Sequence, residues 1–321
     1  WALERDSMDS SFTAMYRNLY SFISHKDKFK RQLILTTRKP IRGNEVNYSK
    51  KDLSNEQNRI IKKALSAKHY FLLNGPPGTG KTSIIIRELI DQLYKNEKAN
   101  ILLIAYTNRA VDEICDVIKK TIGDNFIRIG NELSCSNAYK NNLLSNIISS
   151  NDKLIKRKDI KDLLIKNRVY VSTVASITNK MSLFKLKNFD TIIVDEASQI
   201  LEPQIIGIIQ NCDKFIMIGD HKQLPAIVLQ NADSSKSKSD SLKSIGLLNR
   251  KNSLFERLYK YCESNDFEFA FDNLSYQGRM HKEIALFPNH SFYDSSLKQA
   301  YNITNLPDKI KRELERQDIP L

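Results

Sequence analysis

Short apolar runs alternate with amphipathic segments along most of the chain. In each amphipathic segment the apolar residues recur at helical spacing, whereas the apolar runs have the length of buried strands. Such an alternation is typical of an α/β protein with a doubly wound parallel sheet and helices on both faces, which binds ligands at the carboxyl ends of its strands. The predicted strands are 70–73, 100–106, 126–129, 169–173, 191–194, 214–218 and 267–274.

Other segments depart from this alternation. Residues 2–28 are predicted to form an N-terminal helix, and residues 32–36 a short strand. Residues 131–168 are polar with helical periodicity and are interpreted as a helical insertion between two strands. Residues 231–244 are rich in Ser, Lys and Asp, which predicts an exposed, mobile loop.

The stretch 70–82, YFLLNGPPGTGKT, predicts a phosphate-binding loop. Its turn fits the pattern G-x-x-x-x-G-K-[ST] with Gly75, Gly80, Lys81 and Thr82. Glycines let backbone N–H groups converge on a phosphate, and the following helix adds the positive end of its dipole. Lys81 is expected to reach the β- and γ-phosphates, and the Thr82 hydroxyl to hold Mg²⁺. A chance glycine-rich turn is the alternative, but the motif lies between an apolar strand and an apolar helix, as a phosphate site requires.

Polar side chains follow two later strands at the points where these strands end. Asp195 and Glu196 come directly after the strand at 191–194, and Gln223 lies in the loop after 214–218. In a phosphate-loop NTPase, an acid at the place of Asp195 holds Mg²⁺, and the adjacent Glu196 can act as general base for the attacking water. The Gln223 amide could bond both the γ-phosphate and that water. Taken alone, each of these residues would be an ordinary solvated side chain on the protein surface.

Composition adds a weaker indication. The net charge of +13 favours a polyanionic partner such as nucleic acid. An AT-rich coding sequence would give the same abundance of Lys, Asn and Ile with no functional meaning, and both interpretations stay open.

No apolar run is long enough to cross a bilayer, and no secretory signal is recognisable. The cysteines are scattered without a C-x-x-C pair, which indicates reduced thiols in an intracellular protein; they are Cys115, Cys135, Cys212 and Cys262.

Six segments, in order, resemble the motifs of superfamily 1B helicases of the DNA2/NAM7 (Upf1-like) family. They are LSNEQNRII at 53–61, GPPGTGKT at 75–82, AYTNRAVDEI at 105–114, VDEASQ at 194–199, GDHKQLP at 219–225 and YQGRMHKEIALFPNHSFYDSSL at 276–297. The resemblance covers roughly residues 50–297. It implies a RecA-like P-loop NTPase fold that uses ATP and Mg²⁺ on a single-stranded nucleic acid.

The resemblance also implies roles for individual residues. Gln57 would read the adenine edge, and Arg279 would reach the γ-phosphate from a second domain and join Lys81, Glu196 and Gln223 in catalysis. The residues expected to contact the backbone of the nucleic acid are Thr107, Asn108, Thr173 and Ser176. Those expected around the phosphates are Gly75, Pro76, Gly78, Thr79, Gly80, Lys81, Thr82 and Ser83. Two positions depart from the family pattern: Gly278 replaces the usual aromatic before the arginine, and Ala226 a proline.

The resemblance predicts a division into domains. Residues 1–50 would form an N-terminal helical stalk, and residues 51–270 a RecA-like ATPase domain with the insertion at 131–168. Residues 271–321 would begin a second, incomplete RecA-like domain. Because the chain starts with Trp1 rather than Met and shows no later helicase motifs, it is expected to be a piece of a longer protein.

The function implied is that of an ATP-dependent helicase or translocase moving 5′ to 3′ on single-stranded DNA or RNA, with DNA favoured. The chain by itself is expected to be a monomer that binds ATP and Mg²⁺ but hydrolyses slowly, because an arginine from a second domain contributes about 10³–10⁵ in rate. A second RecA-like domain or a nuclease would flank it in the parent protein. One alternative is a nucleotide-responsive nucleic-acid-binding module without motor activity. Another, a small-molecule phosphotransferase, explains GPPGTGKT but not VDEASQ or GDHKQLP.

Overall fold

The computed structural model describes residues 10–150, 156–226, 228 and 230–300. Its centre is a parallel sheet with these strands in chain order: β1 (Tyr70–Asn74), β2 (Ile101–Ala105), β3 (Ile127–Ile129), β4 (Val169–Thr173), β5 (Phe189–Val194), β6 (Cys212–Gly219) and β7 (Phe271–Asn273). The spatial order is β3-β4-β2-β5-β6-β1-β7. A separate parallel pair consists of β8 (Tyr276–Gln277) and β9 (Lys298–Gln299).

Helices connect the strands. They are α1 (Ser10–Ser24), α2 (Lys28–Ile34), α3 (Asn55–Ser66), α4 (Arg87–Tyr94), α5 (Asn108–Ile122), α6 (Leu144–Ser149), α7 (Arg157–Lys166), α8 (Val174–Thr178), α9 (Leu183–Leu186), α10 (Glu202–Ile209), α11 (Ala232–Ser235), α12 (Asp240–Ser244), α13 (Leu254–Ser264) and α14 (Lys282–Phe292). A π-helical segment, Lys81–Ile86, precedes α4, and short 3₁₀ segments span Glu132–Ser134, Asn137–Asn142 and Ala197–Gln199.

The sheet is covered on both faces, because successive residues of its strands point to opposite sides. On β1, Leu72 packs with α10 and α13, whereas its neighbours Phe71 and Leu73 pack with α3, α4 and α5. Both clusters consist of buried apolar side chains, which explains why the strand sequences are continuous apolar runs. The sheet with helices on both faces confirms the predicted RecA-like α/β fold, including the N-terminal helix and the helical insertion after β3.

Strand register brings the carboxyl ends of the strands to one edge. Asn74 at the end of β1 pairs with Gly219 at the end of β6, and Val194 of β5 pairs with Met217 of β6. On the other side of β5, Ala105 of β2 pairs with Thr173 of β4. The loops that carry the predicted functional residues therefore leave the sheet side by side.

Two expectations for local structure were wrong. Residues 32–36 do not form a strand, because Asp27 caps α2 by accepting a hydrogen bond from the Lys30 amide (3.1 Å) and the helix buries Leu33 and Ile34. Residues 231–244 are not an open loop, since they include α11 and α12. Asn231 caps the first of these, and Ser235 is buried behind it.

Several polar contacts join α3 to the segment around β7. The Arg59 guanidinium donates two hydrogen bonds to Asp272 (2.9 and 3.0 Å), and the Lys63 ammonium lies 3.0 Å from the same carboxylate. Glu56 accepts hydrogen bonds from the backbone and hydroxyl of Ser275. The proposed boundary near residue 270 thus lies within a tightly bonded region, and the division into domains stays a prediction. Expectations for residues 1–9 and 301–321 fall outside the described residues.

No helix within the described ranges combines the length and the apolar character that a membrane span requires.

Candidate functional site

The loop after β1 has the backbone that a phosphate cradle requires. Gly78 and Gly80 have φ angles of 76° and 83°, a region that L-residues with a Cβ rarely adopt. The Thr79 hydroxyl holds the turn closed by donating to the Pro76 carbonyl (2.7 Å). A Cβ at Gly75 would lie only 2.6 Å from Cγ of Lys81, so the lysine side chain folds back across a position where only glycine fits.

The helix after this loop begins with a widened turn. Both Ile84 and Ile85 donate their amide N–H to the Gly80 carbonyl, at 3.0 and 3.2 Å, and the i→i+5 bond makes Lys81–Ile86 π-helical. Wide turns of this kind are frequent at functional sites. The sequence predicted a helix from Gly80 but not its widened first turn, because no residue pattern distinguishes the two.

Thr82 and Asp195 meet although they are 113 positions apart. The Thr82 hydroxyl donates to Oδ2 of Asp195 at 2.8 Å, and the backbone N–H of Glu196 donates to Oδ1 at 3.0 Å. Burial of the carboxyl group, together with the nearby Glu196 charge, raises the pKa of Asp195 to about 6. A buried carboxylate with a raised pKa is a group that a bound cation would stabilise in its charged form.

Lys81 and Glu196 form the second contact between these loops. The buried Lys81 ammonium lies 3.6 Å from Oε1 of Glu196, whose other oxygen accepts a hydrogen bond from Gln199 (3.3 Å). Glu196 has a left-handed backbone conformation with φ of 51°, which is unfavourable for a non-glycine residue. This turn directs the Glu196 carboxylate towards the phosphate loop, where it approaches Lys81.

Gln223 reaches the same region from the loop after β6. Its amide donates to Oδ2 of Asp220 at 2.8 Å, and Asp220 also accepts a hydrogen bond from the Lys222 backbone at 3.0 Å. Asp220 is fully buried. The carboxylate therefore fixes the start of the loop and the orientation of the glutamine side chain.

Gln57 is engaged in capping α3. Its Oε1 accepts a hydrogen bond from the Ser54 amide (3.0 Å), while the Ser54 hydroxyl accepts one from the Gln57 amide (3.2 Å). This reciprocal capping box satisfies two amide groups at the start of the helix. The same side chain borders the cleft above the phosphate loop. A role for Gln57 in recognising adenine therefore stays a prediction, in addition to its observed capping role.

Arg279 lies against the phosphate loop through its backbone. A Cβ at Gly78 would be 2.4 Å from Cβ of Arg279, and the Gly278 amide donates to the Gly78 carbonyl at 2.9 Å. The segment around β8 thus packs directly on the loop, with the exposed Arg279 side chain at the rim. Gly278, which stands where the family pattern has an aromatic residue, is the residue that makes this close backbone contact.

These elements enclose a cleft of about 920 Å³. The phosphate loop with Lys81 and Thr82 forms its floor, and the cleft is also lined by Glu196, Gln223, Gln57 and Arg279. Such a volume is ordinary for a cofactor site. Further lining residues are Asp52, Ser54, Pro76, Pro77, Gly78, Thr79, Gly80, Ser83, Ile84, Glu113, Tyr276, Gly278 and Ala300.

The donor set at the floor of the cleft fits a magnesium ion. Mg²⁺ prefers oxygen ligands and is usually held by one or two protein groups together with waters and phosphate oxygens. The Thr82 hydroxyl and the Asp195 carboxylate supply two such oxygens beside the glycine cradle. Within the described ranges, no group of three or more His, Cys, Asp or Glu side chains suggests a site for another kind of metal.

The four residues predicted to contact nucleic acid lie together on another part of the same edge. Thr107 caps α5 by accepting a hydrogen bond from the Ala110 amide (3.2 Å), and Thr173 caps α8 by accepting one from the Ser176 amide (3.1 Å). The Thr173 hydroxyl in turn donates to the Ser176 hydroxyl (2.9 Å). Asn108, the first residue of α5, is half-buried.

Some residues at the site were not identified from the sequence. Asp220 was quoted within GDHKQLP, but only Gln223 of that motif was assigned a role. Behind the phosphate loop, Asn74 contacts His221 at 3.1 Å and donates to Asn273 at 3.0 Å. The sequence did contain a signal for these contacts: an Asn at the end of one strand, and a polar motif at the end of another. Which strand ends are neighbours depends on the strand order, however, and the sequence does not give that order.

Comparison with protein families gives two matches that together cover most of the chain. A model described as an AAA domain matches residues 52–162 and 140–231, which is more than half of the sequence. A second model, also described as an AAA domain, matches residues 250–321.

Individual relatives are replication and polymerase-associated helicases. The chain is 32% identical over 238 residues to the DNA replication ATP-dependent helicase/nuclease JHS1 of Arabidopsis thaliana, covering 71% of this chain and 17% of that protein. It is 33% identical over 277 residues to the DNA replication ATP-dependent helicase/nuclease DNA2 of Bos taurus, covering 83% and 23%. It is 31% identical over 285 residues to the DNA polymerase alpha-associated DNA helicase A of Saccharomyces cerevisiae, covering 73% and 40%. The chain therefore spans less than half the length of each of these relatives.

Proposed function

Because the chain belongs to the superfamily 1B helicases of the DNA2/NAM7 family, we propose that it binds and hydrolyses ATP with Mg²⁺ as the motor part of a nucleic-acid helicase. The observation that carries this proposal is the convergence of two strand-end loops on one cleft. Thr82 contacts Asp195 at 2.8 Å, and Lys81 lies 3.6 Å from Glu196, although the pairs come from β1 and β5, which are separated by β6. Core packing alone does not require these four polar groups to meet.

Each residue of the cleft then has a distinct task. Lys81 and the glycine cradle would hold the phosphates, and Thr82 and Asp195 would hold Mg²⁺, which when bound offsets the phosphate charge. Glu196 would accept the proton of the attacking water. Its present contact with Lys81 supports this task, since it keeps the carboxylate directed at the phosphate loop.

We further propose that the track is single-stranded DNA and that the motor moves 5′ to 3′. The names of the relatives support DNA over RNA. Thr107, Asn108, Thr173 and Ser176 are the residues proposed to contact its backbone. Their position supports this role, because they lie on the same sheet edge as the nucleotide cleft and next to it along the order β4-β2-β5-β6-β1.

The setting proposed is that of an intracellular monomer. All four cysteines, each buried, are free thiols, and burial raises the pKa of Cys212 to about 12 and that of Cys262 to about 11, so both stay protonated and unreactive. Free thiols are usual in a reducing compartment. We include in the same proposal that the whole protein displaces nucleic-acid strands. A second RecA-like domain or a nuclease would flank this chain in that protein.

Titration with a fluorescent ATP analogue in the presence of Mg²⁺ tests the proposal. The chain is expected to bind it, and Lys81→Ala is expected to weaken binding by at least about 30-fold, since truncating one partner of a buried charged pair costs about 2–5 kcal/mol. Lys98→Ala, which removes an exposed lysine beyond α4, is the matched control and should leave the affinity unchanged.

Equal affinities for wild type and Lys81→Ala would contradict the assignment of the cleft. ATP binding without any ATP hydrolysis, measured as phosphate release with and without single-stranded DNA, would instead favour the nucleic-acid-binding module that lacks motor activity.

A further inference from the structure

Asp220 is a buried carboxylate held entirely by uncharged donors among the described residues. It has no exposed surface, and its Oδ1 accepts a hydrogen bond from the Lys222 backbone. Its Oδ2 accepts two more, one from the Gln223 amide at 2.8 Å and one from the Tyr293 hydroxyl at 2.7 Å. Leaving a buried carboxylate without hydrogen-bond donors costs free energy. Because Gln223 is one of the two donors to Oδ2, the other donor affects how easily Gln223 can move.

Tyr293 comes from a different part of the chain and directly follows α14. Burial, followed by the bond to Asp220, raises the pKa of Tyr293, so its hydroxyl stays protonated and can only donate to the carboxylate. The turn around Tyr293 is rigid, because Asn289 forms two hydrogen bonds with Leu297 (2.9 and 3.0 Å) and the Ser296 hydroxyl donates to the Tyr293 carbonyl.

Few other groups tie α14 to the sheet. Ala285 is its only buried residue, and large apolar side chains of the helix face solvent, namely Ile284, Leu286, Phe287 and Phe292. Tyr293, in contrast, is 9% exposed. The hydroxyl bond to Asp220 is therefore a principal connection between the end of α14 and the loop that carries Gln223.

We propose that Tyr293 is a positioning residue for Gln223: by donating to the same oxygen of Asp220, it allows the glutamine amide to leave that carboxylate for the terminal phosphate of a bound nucleoside triphosphate. This inference rests on the nucleotide site proposed above. When Gln223 turns towards the phosphate, the Tyr293 hydroxyl and the Lys222 amide still donate to Asp220, so the buried carboxylate keeps two hydrogen bonds. Without the tyrosine hydroxyl, Gln223 is the last side-chain donor and is held back.

The structure thus predicts a change in the discrimination between triphosphate and diphosphate. Only a triphosphate offers the group that attracts Gln223, and a diphosphate lacks it. Tyr293→Phe should therefore weaken binding of a non-hydrolysable ATP analogue by about 3- to 10-fold, the range for one hydrogen bond, and leave ADP affinity unchanged.

The experiment measures the dissociation constants of fluorescent AMP-PNP and ADP, both with Mg²⁺, for the 321-residue chain and its variants. Tyr293→Phe is expected to lower the ratio of the AMP-PNP affinity to the ADP affinity. Asp220→Asn is expected to raise it, because a neutral amide releases Gln223 more easily, and the double variant should return towards wild type. Tyr170→Phe is the control: it removes the hydroxyl that donates to the Leu164 carbonyl beneath β4, away from the cleft, and should leave the ratio unchanged.

The following results would overturn the inference. Unchanged affinities of Tyr293→Phe for both nucleotides would show that the hydroxyl does not act on Gln223. An unchanged ratio with both affinities weakened, or no recovery in the double variant, would show that Tyr293 only supports the fold. Failure of the wild-type chain to bind either nucleotide would remove the proposed function and this inference together, and so is distinguishable from the first two. Should Tyr293→Phe not fold, a ratio that Asp220→Asn does not raise also overturns it.

Discussion

The two halves of the functional edge use polar side chains in different ways. At the ends of β1 and β5, polar groups contact partners far along the chain: Thr82 contacts Asp195, and Lys81 approaches Glu196. At the ends of β2 and β4, the hydroxyls of Thr107 and Thr173 are bonded within three residues, where they cap the following helices. Both sets of residues sit at strand ends and both belong to recognisable motifs.

The difference teaches how far a structure can support a functional role. A cap accounts fully for a threonine before a helix, since it satisfies an amide that would otherwise lack a partner. No local requirement accounts for a lysine, a threonine and two acidic residues that meet across three strands. Geometry therefore supports the nucleotide role directly, whereas the nucleic-acid role depends on variants that separate capping from contact with a ligand.

The largest effect is expected for Glu196→Gln. It removes the proposed base while retaining size and polarity, so single-turnover ATP hydrolysis should fall by about 10²–10⁴-fold with nucleotide affinity preserved. Phosphate release after rapid mixing measures the rate. Glu97→Gln, an exposed change after α4, should have no effect. Undiminished hydrolysis in Glu196→Gln would show that another group takes the proton.

Thr82→Val tests the long-range pair. The variant keeps the shape of the side chain but loses the hydroxyl next to Asp195, so the stabilisation of ATP binding by Mg²⁺ should weaken by about 10- to 100-fold. Titration with and without Mg²⁺ separates this from a general loss of affinity. Thr121→Val removes a hydroxyl that bonds only to the Val117 carbonyl of α5 and serves as the control. The same Mg²⁺ dependence in both variants would argue against a cation at Thr82.

Gln57→Glu separates capping from base recognition at the rim of the cleft. A glutamate still accepts the hydrogen bond from the Ser54 amide, so the capping box and the thermal stability should be retained. It lacks the amide donor, however, and ATP affinity relative to GTP should fall by about 3- to 10-fold. Competition binding measures the ratio. A retained preference for ATP would leave Gln57 with its capping role alone.

The smallest effect is expected on the other half of the edge, where Thr107→Ala is compared with Asn108→Ala. Loss of the Thr107 cap should lower the free energy of unfolding by about 0.5–2 kcal/mol, whereas Asn108 lies inside the helix and should cost less. Both should weaken binding of a single-stranded oligonucleotide by about 2- to 5-fold. Fluorescence anisotropy and thermal unfolding report the two quantities. Weakening confined to Thr107→Ala would mean that only the cap matters there.

The sequence predicted well what depends on local pattern. Seven apolar runs became the seven strands of the sheet, and the glycine loop has the positive φ angles at Gly78 and Gly80 that its motif requires. The carboxyl-edge rule also placed Asp195 beside Thr82. Two local expectations failed. At 32–36, a short apolar segment carries too few periods to decide between helix and strand, and the loop expected at 231–244 includes α11 and α12.

Contacts that depend on the arrangement of distant segments were beyond the sequence. The bond from Tyr293 to Asp220 and the pairing of Arg59 with Asp272 join positions 73 and 213 residues apart. Nothing in the spacing of these residues selects one partner over another, because the choice depends on where β7 joins the sheet and how the segment after it packs on the phosphate loop.

A crystal structure of the chain with AMP-PNP and Mn²⁺ would test the central claim most directly. Manganese replaces magnesium in such sites and gives an anomalous signal that locates it. The account predicts an anomalous peak beside the Thr82 hydroxyl and the Asp195 carboxylate, with the phosphates over the loop at 75–80. A nucleotide bound elsewhere, or a metal peak remote from Thr82 and Asp195, would contradict it.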